Sequence, residues 1–128
     1  MVTLVPIALD RLRESVDYRD TVRAVVTDLR AARHKALAEG VEVRFLVDLA
    51  NGRFGLDGRT PHELRPPLQM RVTVAGIEWS DRQVGAIRFL PQGGATGGSV
   101  DVLRPRGDGV RITVDWLSAS VSQTPITP

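Results

Sequence analysis

The sequence predicts an α+β fold, with an N-terminal amphipathic helix packed on a β-sandwich of two antiparallel sheets. Three observations carry this. Between Val22 and Gly40, the residues Val22, Val25, Val26, Leu29, Ala32 and Ala36 recur at the three- and four-residue spacing that gathers side chains on one side of a helix. At Val41 the hydrophobic period drops from about 3.6 to 2. Beyond it come about seven or eight short segments separated by close turns, the pattern of antiparallel sheets packed face to face rather than of a parallel α/β sheet.

Size and composition limit what the fold can do. A chain of 128 residues has the size of a single domain and can bury roughly two-thirds of its unfolded surface without staples. It has no cysteine, which excludes disulfides, thiolate metal sites and a cysteine nucleophile. Of the 17 basic residues only Lys35 is a lysine, so the pI of 9.9 reflects arginine titration while the net charge is +2. Acids and bases alternate along the chain, the composition of a mixed-charge solvated surface more than of a nucleic-acid footprint.

The first nine residues, Met1 to Leu9, are almost wholly apolar, but the run is about half the length that crosses a bilayer and carries no basic leader. As given, the sequence is expected not to span a membrane. The run reads as a buried helix start, a signal-peptide remnant, or the distal end of a longer hydrophobic helix. Leu9, Leu12 and Val16 continue the helical spacing, and at 100° per residue their stripe is offset by roughly a third of a turn from the Val22–Ala36 stripe. One straight helix would then show two apolar faces. The second lies on the sheets; the first is suited to another subunit or to lipid. A break between Ser15 and Asp20 would instead turn both stripes to one core, but no Gly or Pro sits there to cause it. Pro6 is expected to bend any helix running through it, and Gly40 supplies a left-handed stop.

Val41, Val43, Phe45 and Val47 alternate with polar residues as a half-buried strand, Asn51-Gly52 turns the chain, and Arg53 to Leu56 returns as a hairpin partner. The segment Arg59 to Pro67 holds three prolines and reads as a surface loop. Met70, Val72 and Val74 form the next alternation, then Ala75-Gly76 turns into Ile77-Glu78-Trp79. Ala86 to Leu90 is a further strand, Pro91 to Gly98 a glycine-rich turn, and Ser99 to Leu103 the following strand. After a turn at Arg104 to Gly109, Val110, Ile112, Val114 and Trp116 give the cleanest alternation in the chain. Burying those four side chains would contribute on the order of 6–12 kcal/mol before the entropy cost. A last strand is expected from Ala119 to Gln123.

No catalytic constellation is visible. His34 and His62 are the only histidines, and neither has carboxylates at metal-ligand spacing. No serine sits in a nucleophile elbow. The run Gly93-Gly94-Ala95-Thr96-Gly97-Gly98 lacks the lysine of a phosphate loop and precedes a strand, so it reads as a turn. Arg106-Gly107-Asp108 matches an adhesion tripeptide, as three residues of an Arg- and Gly-rich turn will by chance. The sequence therefore implies no enzyme, no metal and no cofactor.

The run Ile87-Arg88-Phe89-Leu90-Pro91-Gln92-Gly93-Gly94-Ala95-Thr96-Gly97-Gly98, followed by a strand ending Val114-Asp115-Trp116-Leu117-Ser118, resembles the C-terminal signature of the H-type minor pseudopilins of type II secretion and their type IV minor pilin relatives. The pattern is approximately I-R-F-x-P-D-G-S-x-x-G-G, then V-D-x-x-T-G-R-V. Gln92 replaces its Asp, Gly94 its Ser, and Ala119-Ser120 stand where Gly-Arg is expected.

The resemblance implies one pilin-like domain over residues 1–128, helical over 1–39, β-rich over 41–123, with a tail at 124–128. It implies that the sequence begins partway through a longer helix, near the proline that interrupts its hydrophobic half. The preceding segment would anchor the protein as a single span of the bacterial inner membrane, with this domain in the periplasm. The expected role is structural: a minor subunit near the tip of the pseudopilus, linking other minor pseudopilins to the major one during export of folded proteins. Leu9, Leu12 and Val16 are the expected subunit-facing residues, and the isolated domain is expected to be monomeric. The alternative is a minor pilin that binds DNA during uptake, with Arg104, Arg106 and Arg111 on phosphates. Against it, the basic G-R-x-R motif of such relatives is replaced here by Ala119-Ser120-Val121-Ser122.

Overall fold

The computed structural model describes residues 4–75, 78–80 and 83–128, with helix side chains from residue 9 onward. One helix and nine strands are found among them, in the order α1 (Leu4–Glu39), β1 (Val43–Asp48), β2 (Arg53–Leu56), β3 (His62–Glu63), β4 (Gln69–Thr73), β5 (Trp79–Ser80), β6 (Val84–Phe89), β7 (Gly98–Leu103), β8 (Gly109–Val114) and β9 (Val121–Ile126). Thirty-six residues of α1 span about 54 Å. No residue between Ile7 and Glu39 is Gly or Pro, and the helix runs unbroken through Ser15–Asp20. Pro6 lies in its first described turn; whether a bend precedes it concerns residues outside those described. Gly40, at φ 65°, ends the helix in the left-handed conformation.

The strands form two antiparallel sheets, β3-β2-β1-β6-β5 and β4-β7-β8-β9. In the first, the Asn51-Gly52 turn sets the β1–β2 register, and Asp48 closes it by accepting bonds from the Asn51 backbone N–H (3.2 Å) and Nδ2 (2.8 Å). Phe45, Val47, Ile87 and Phe89 project from this sheet into the core; Val100, Val102, Ile112 and Val114 do so from the second. Val25, Val26, Leu29, Ala32 and Ala36 of α1 complete the same cluster. Burial of Val25, Val26 and Leu29 stabilises the docked helix by about 1.5–3 kcal/mol each, as an upper estimate. The helix touches β1, β2 and β6 of one sheet and β7, β8 and β9 of the other.

The Pro-rich loop at 59–67 contributes only the two-residue edge strand β3, and it is tied down on α1. Arg65 Nη1 donates to Asp17 Oδ1 at 3.2 Å, and His62 Nε2 lies 3.0 Å from Asp28 Oδ2. The expected turn at Ala75-Gly76 into Ile77 lies partly outside the described residues.

Three expectations are corrected. Strand β8 ends at Val114, so Trp116 is not a core residue of an extended alternation; it is 67% exposed. Its neighbour Asp115 starts a turn instead of continuing the strand. Val41 is 41% exposed and precedes β1. The last strand runs Val121–Ile126, so residues 124–126 belong to the sheet and not to a tail. Pro125 fits there because the bond from Asp115 N–H to the Ser120 carbonyl (3.0 Å) fixes the β8–β9 alternation. Counted from that pair, Val110 and Pro125 face each other without ladder bonds, so Pro125 turns its missing N–H outward and blunts the sheet edge.

Candidate functional site

Two exposed surfaces at opposite ends of α1 stand out. The first is the stripe Leu9, Leu12 and Val16, exposed by 50%, 61% and 47%. Because α1 is continuous, the one-third-turn offset from the buried stripe holds these side chains away from the sheets. A Leu, Leu, Val stripe offers roughly the apolar width that a helix packing against a neighbour buries.

The second surface is built by the glycine-rich segment and the end of β8. Leaving β6, the chain turns so that the Leu90 N–H donates to the Gly94 carbonyl (3.1 Å) and Ala95 bridges Phe89. Thr96 Oγ1 accepts a bond from the Arg88 N–H at 3.0 Å, and the Thr96 N–H donates to the Arg88 carbonyl at 2.8 Å. The Ala95 N–H donates to the Trp116 carbonyl at 2.8 Å, which joins this turn to the one after β8. Gly94 (φ 80°) permits the approach, since a Cβ there would sit 3.0 Å from the Trp116 carbonyl oxygen and 3.2 Å from that of Leu117. Gly98 (φ 136°) is more constrained still, with the Thr73 carbonyl oxygen 2.5 Å from where its Cβ would be.

The turn carrying Trp116 is held by Asp115. Its Oδ2 accepts bonds from the backbone N–H groups of Leu117 (3.2 Å) and Ser118 (2.9 Å) and from Ser118 Oγ (2.9 Å). The two bonds from Ser118 hold the carboxyl below the usual carboxylate range against a smaller desolvation effect, and the bond from Leu117 adds the least. Ala119, 1% exposed, completes the turn at φ 59°. A left-handed residue is required there, which gives a physical reason for the Gly of the related pattern. The outcome is a fixed backbone presenting Trp116 and Leu117, exposed by 67% and 70%. Leu37 approaches Gly93 beside them, and a cleft lined by Arg30, Arg33, His34, Ser120 and Val121 continues from it. Sequence reading missed this surface, because period-2 alternation placed Trp116 in the core.

The three arginines of the nucleic-acid alternative do not form a free cluster. Arg111 Nε and Nη2 fork onto Asp101 at 2.9 and 3.1 Å, and Arg71 reaches the same carboxylate at 3.3 Å. The Arg104 guanidinium lies 4.1 Å from the Tyr18 ring centroid, with Asp108 4.0 Å away. Arg106 alone is exposed without such a partner among the described residues. Two of the three side chains are thus engaged by neighbours within the fold, and the geometry does not support that reading. Among the described residues no group of His, Cys, Asp and Glu is placed to hold a metal, and no helix is long and apolar enough to cross a membrane.

Comparison with known proteins agrees with this layout. The family model of the type II transport protein GspH matches residues 21–118. Type II secretion system protein H of Xanthomonas campestris pv. campestris is 32% identical over 108 residues, covering 84% of this chain and 63% of that protein. The chain therefore spans just under two-thirds of the length of this curated relative. The minor pseudopilin EpsH from the type 2 secretion system of Vibrio cholerae shares the fold, with a TM-score of 0.61 over 88% of this chain and 98% of that one, at 14% identity.

Proposed function

The chain belongs to the GspH family of type II transport proteins, and from that premise we propose that it is a structural subunit near the tip of the type II secretion pseudopilus. There it links other minor pseudopilins to the major one while folded proteins leave the periplasm. A hydrophobic segment N-terminal to this domain anchors it as a single span of the inner membrane, and the β-rich part lies in the periplasm. The observation that carries this is the Leu9, Leu12 and Val16 stripe, exposed on a helix that does not break and turned away from the protein's own core. Apolar side chains held in water on a rigid element favour burial against a partner. Filament subunits meet that need by packing their helices together.

The test is titration of this domain, at micromolar concentration and physiological salt, against the soluble domains of the other minor pseudopilins and against short duplex DNA. Saturable binding to a pseudopilin domain with none to DNA supports the assignment. Salt-sensitive DNA binding without protein binding overturns it.

A further inference from the structure

Val16 and Leu37 are 21 positions apart on one unbroken helix, about 31 Å. The surface around Trp116 is therefore not part of the stripe at Leu12. Three features give it a chemical character. Trp116 and Leu117, with the half-exposed Leu37 beside them, put large apolar side chains in water. Their backbone is fixed beforehand by the Leu117 and Ser118 N–H bonds to Asp115 and by the Ala95–Trp116 bond, so little order remains to be lost on binding. Arg30 and Arg33 line the adjoining cleft with His34, and neither arginine makes an ion pair with any described residue. The one carboxylate of the turn, Asp115, is already occupied by its own backbone.

We propose that the Trp116–Leu117 turn and the Arg30–Arg33 cleft form a second docking surface, which takes an acidic segment bearing a large apolar side chain from a neighbouring pseudopilin. A rigid, exposed Trp is the residue type that most often dominates binding energy at an interface, and two unpaired arginines select carboxylates beside it. A polynucleotide is less well served. Leu37 and Leu117 add exposed aliphatic groups to this surface, and the two guanidinium groups form no track for a phosphate backbone. The neighbour's identity rests on the pseudopilus assignment; the chemistry of the segment does not.

The test places a photoreactive phenylalanine analogue at Leu117, and separately at Leu12, in the protein expressed in cells with a working secretion apparatus. Cross-linked peptides are then identified by mass spectrometry. The expected result is a Leu117 cross-link to a pseudopilin peptide rich in Asp or Glu with a large apolar residue. Combining it with Arg30→Glu and Arg33→Glu lowers its yield about fivefold, while the Leu12 cross-link and the circular dichroism spectrum stay unchanged. Cross-links from Leu12 but not Leu117 overturn the second surface and leave the pseudopilus assignment standing. So does a Leu117 cross-link to a basic or neutral segment, lipid or nucleic acid, or one indifferent to charge reversal. Absence of any pseudopilin cross-link from both positions overturns both.

Discussion

The backbone N–H of Ala95 donates a 2.8 Å hydrogen bond to the carbonyl oxygen of Trp116, joining the segment that leaves the first sheet to the turn that ends β8 in the second. Both halves of the C-terminal signature meet at this bond. The motif is therefore a junction that fixes one end of the two sheets relative to each other and holds two apolar side chains in solvent.

Gly98→Ala tests how strictly that junction is packed. The added Cβ would stand 2.5 Å from the Thr73 carbonyl oxygen at a φ of 136°, and Thr73 cannot retreat without loosening its pairing with Ser99. The expected loss is about 2–3 kcal/mol, read from denaturant unfolding with an unchanged m-value.

Ala119 separates two opposing effects. Its left-handed φ of 59° costs an alanine about 1 kcal/mol relative to glycine, while its buried methyl contributes about 0.8 kcal/mol. Ala119→Gly is therefore expected within about 0.5 kcal/mol of the parent, although a buried methyl is removed. Ala119→Val, β-branched in the same conformation, is expected to lose about 2–3 kcal/mol by the same assay.

The Asp115 turn carries a pH dependence of known sign. Hydrogen bonds from Ser118 and Leu117 lower its folded pKa, so the stabilisation is fully present above the unfolded value and is lost as pH falls through the lowered one. Asp48, lowered by Asn51, acts in the same direction and window. Amide resonances of Leu117 and Ser118 are expected to hold steady from pH 7 to about 4 and to move below that. In Asp115→Ala the step at Leu117 and Ser118 should vanish.

Arg104 and Tyr18 tie the β7–β8 turn to the helix. Burial raises the Tyr18 pKa and the Arg104 charge opposes that rise, while Asp108 adds to it. Arg104→Ala should remove a cation–π contact of about 0.5–1 kcal/mol and move the phenol titration further upward, as ultraviolet absorbance would show. A downward movement would place the guanidinium elsewhere.

Much of this architecture is legible in the sequence because it depends on periodicity. The stripe of Val25, Leu29, Ala32 and Ala36, and the period-2 runs around Phe45 and Ile112, reflect which side of each element faces the core. The offset of Leu9, Leu12 and Val16 is legible for the same reason. Trp116 was not, because the alternation runs on through it; the signal that stops the strand is the local Asp115-x-x-Ser118 turn. The Arg104, Arg106 and Arg111 grouping fails because neighbours in sequence do not reveal neighbours across a sheet. Register sets Arg71, Asp101 and Arg111 side by side on β4, β7 and β8, and only the assembled sheet shows that the carboxylate is there.

The most direct measurement of the subunit role is export of a secreted protein by cells whose only copy of this subunit carries Leu12→Asp. Leu12 is 61% exposed and is not a member of the buried cluster, so the purified domain should stay within about 0.5 kcal/mol of the parent in stability. Export is expected to fall sharply, because a carboxylate buried unpaired between packed helices is strongly destabilising there. Normal export by a stably folded Leu12→Asp protein would contradict the assignment of this stripe to the filament.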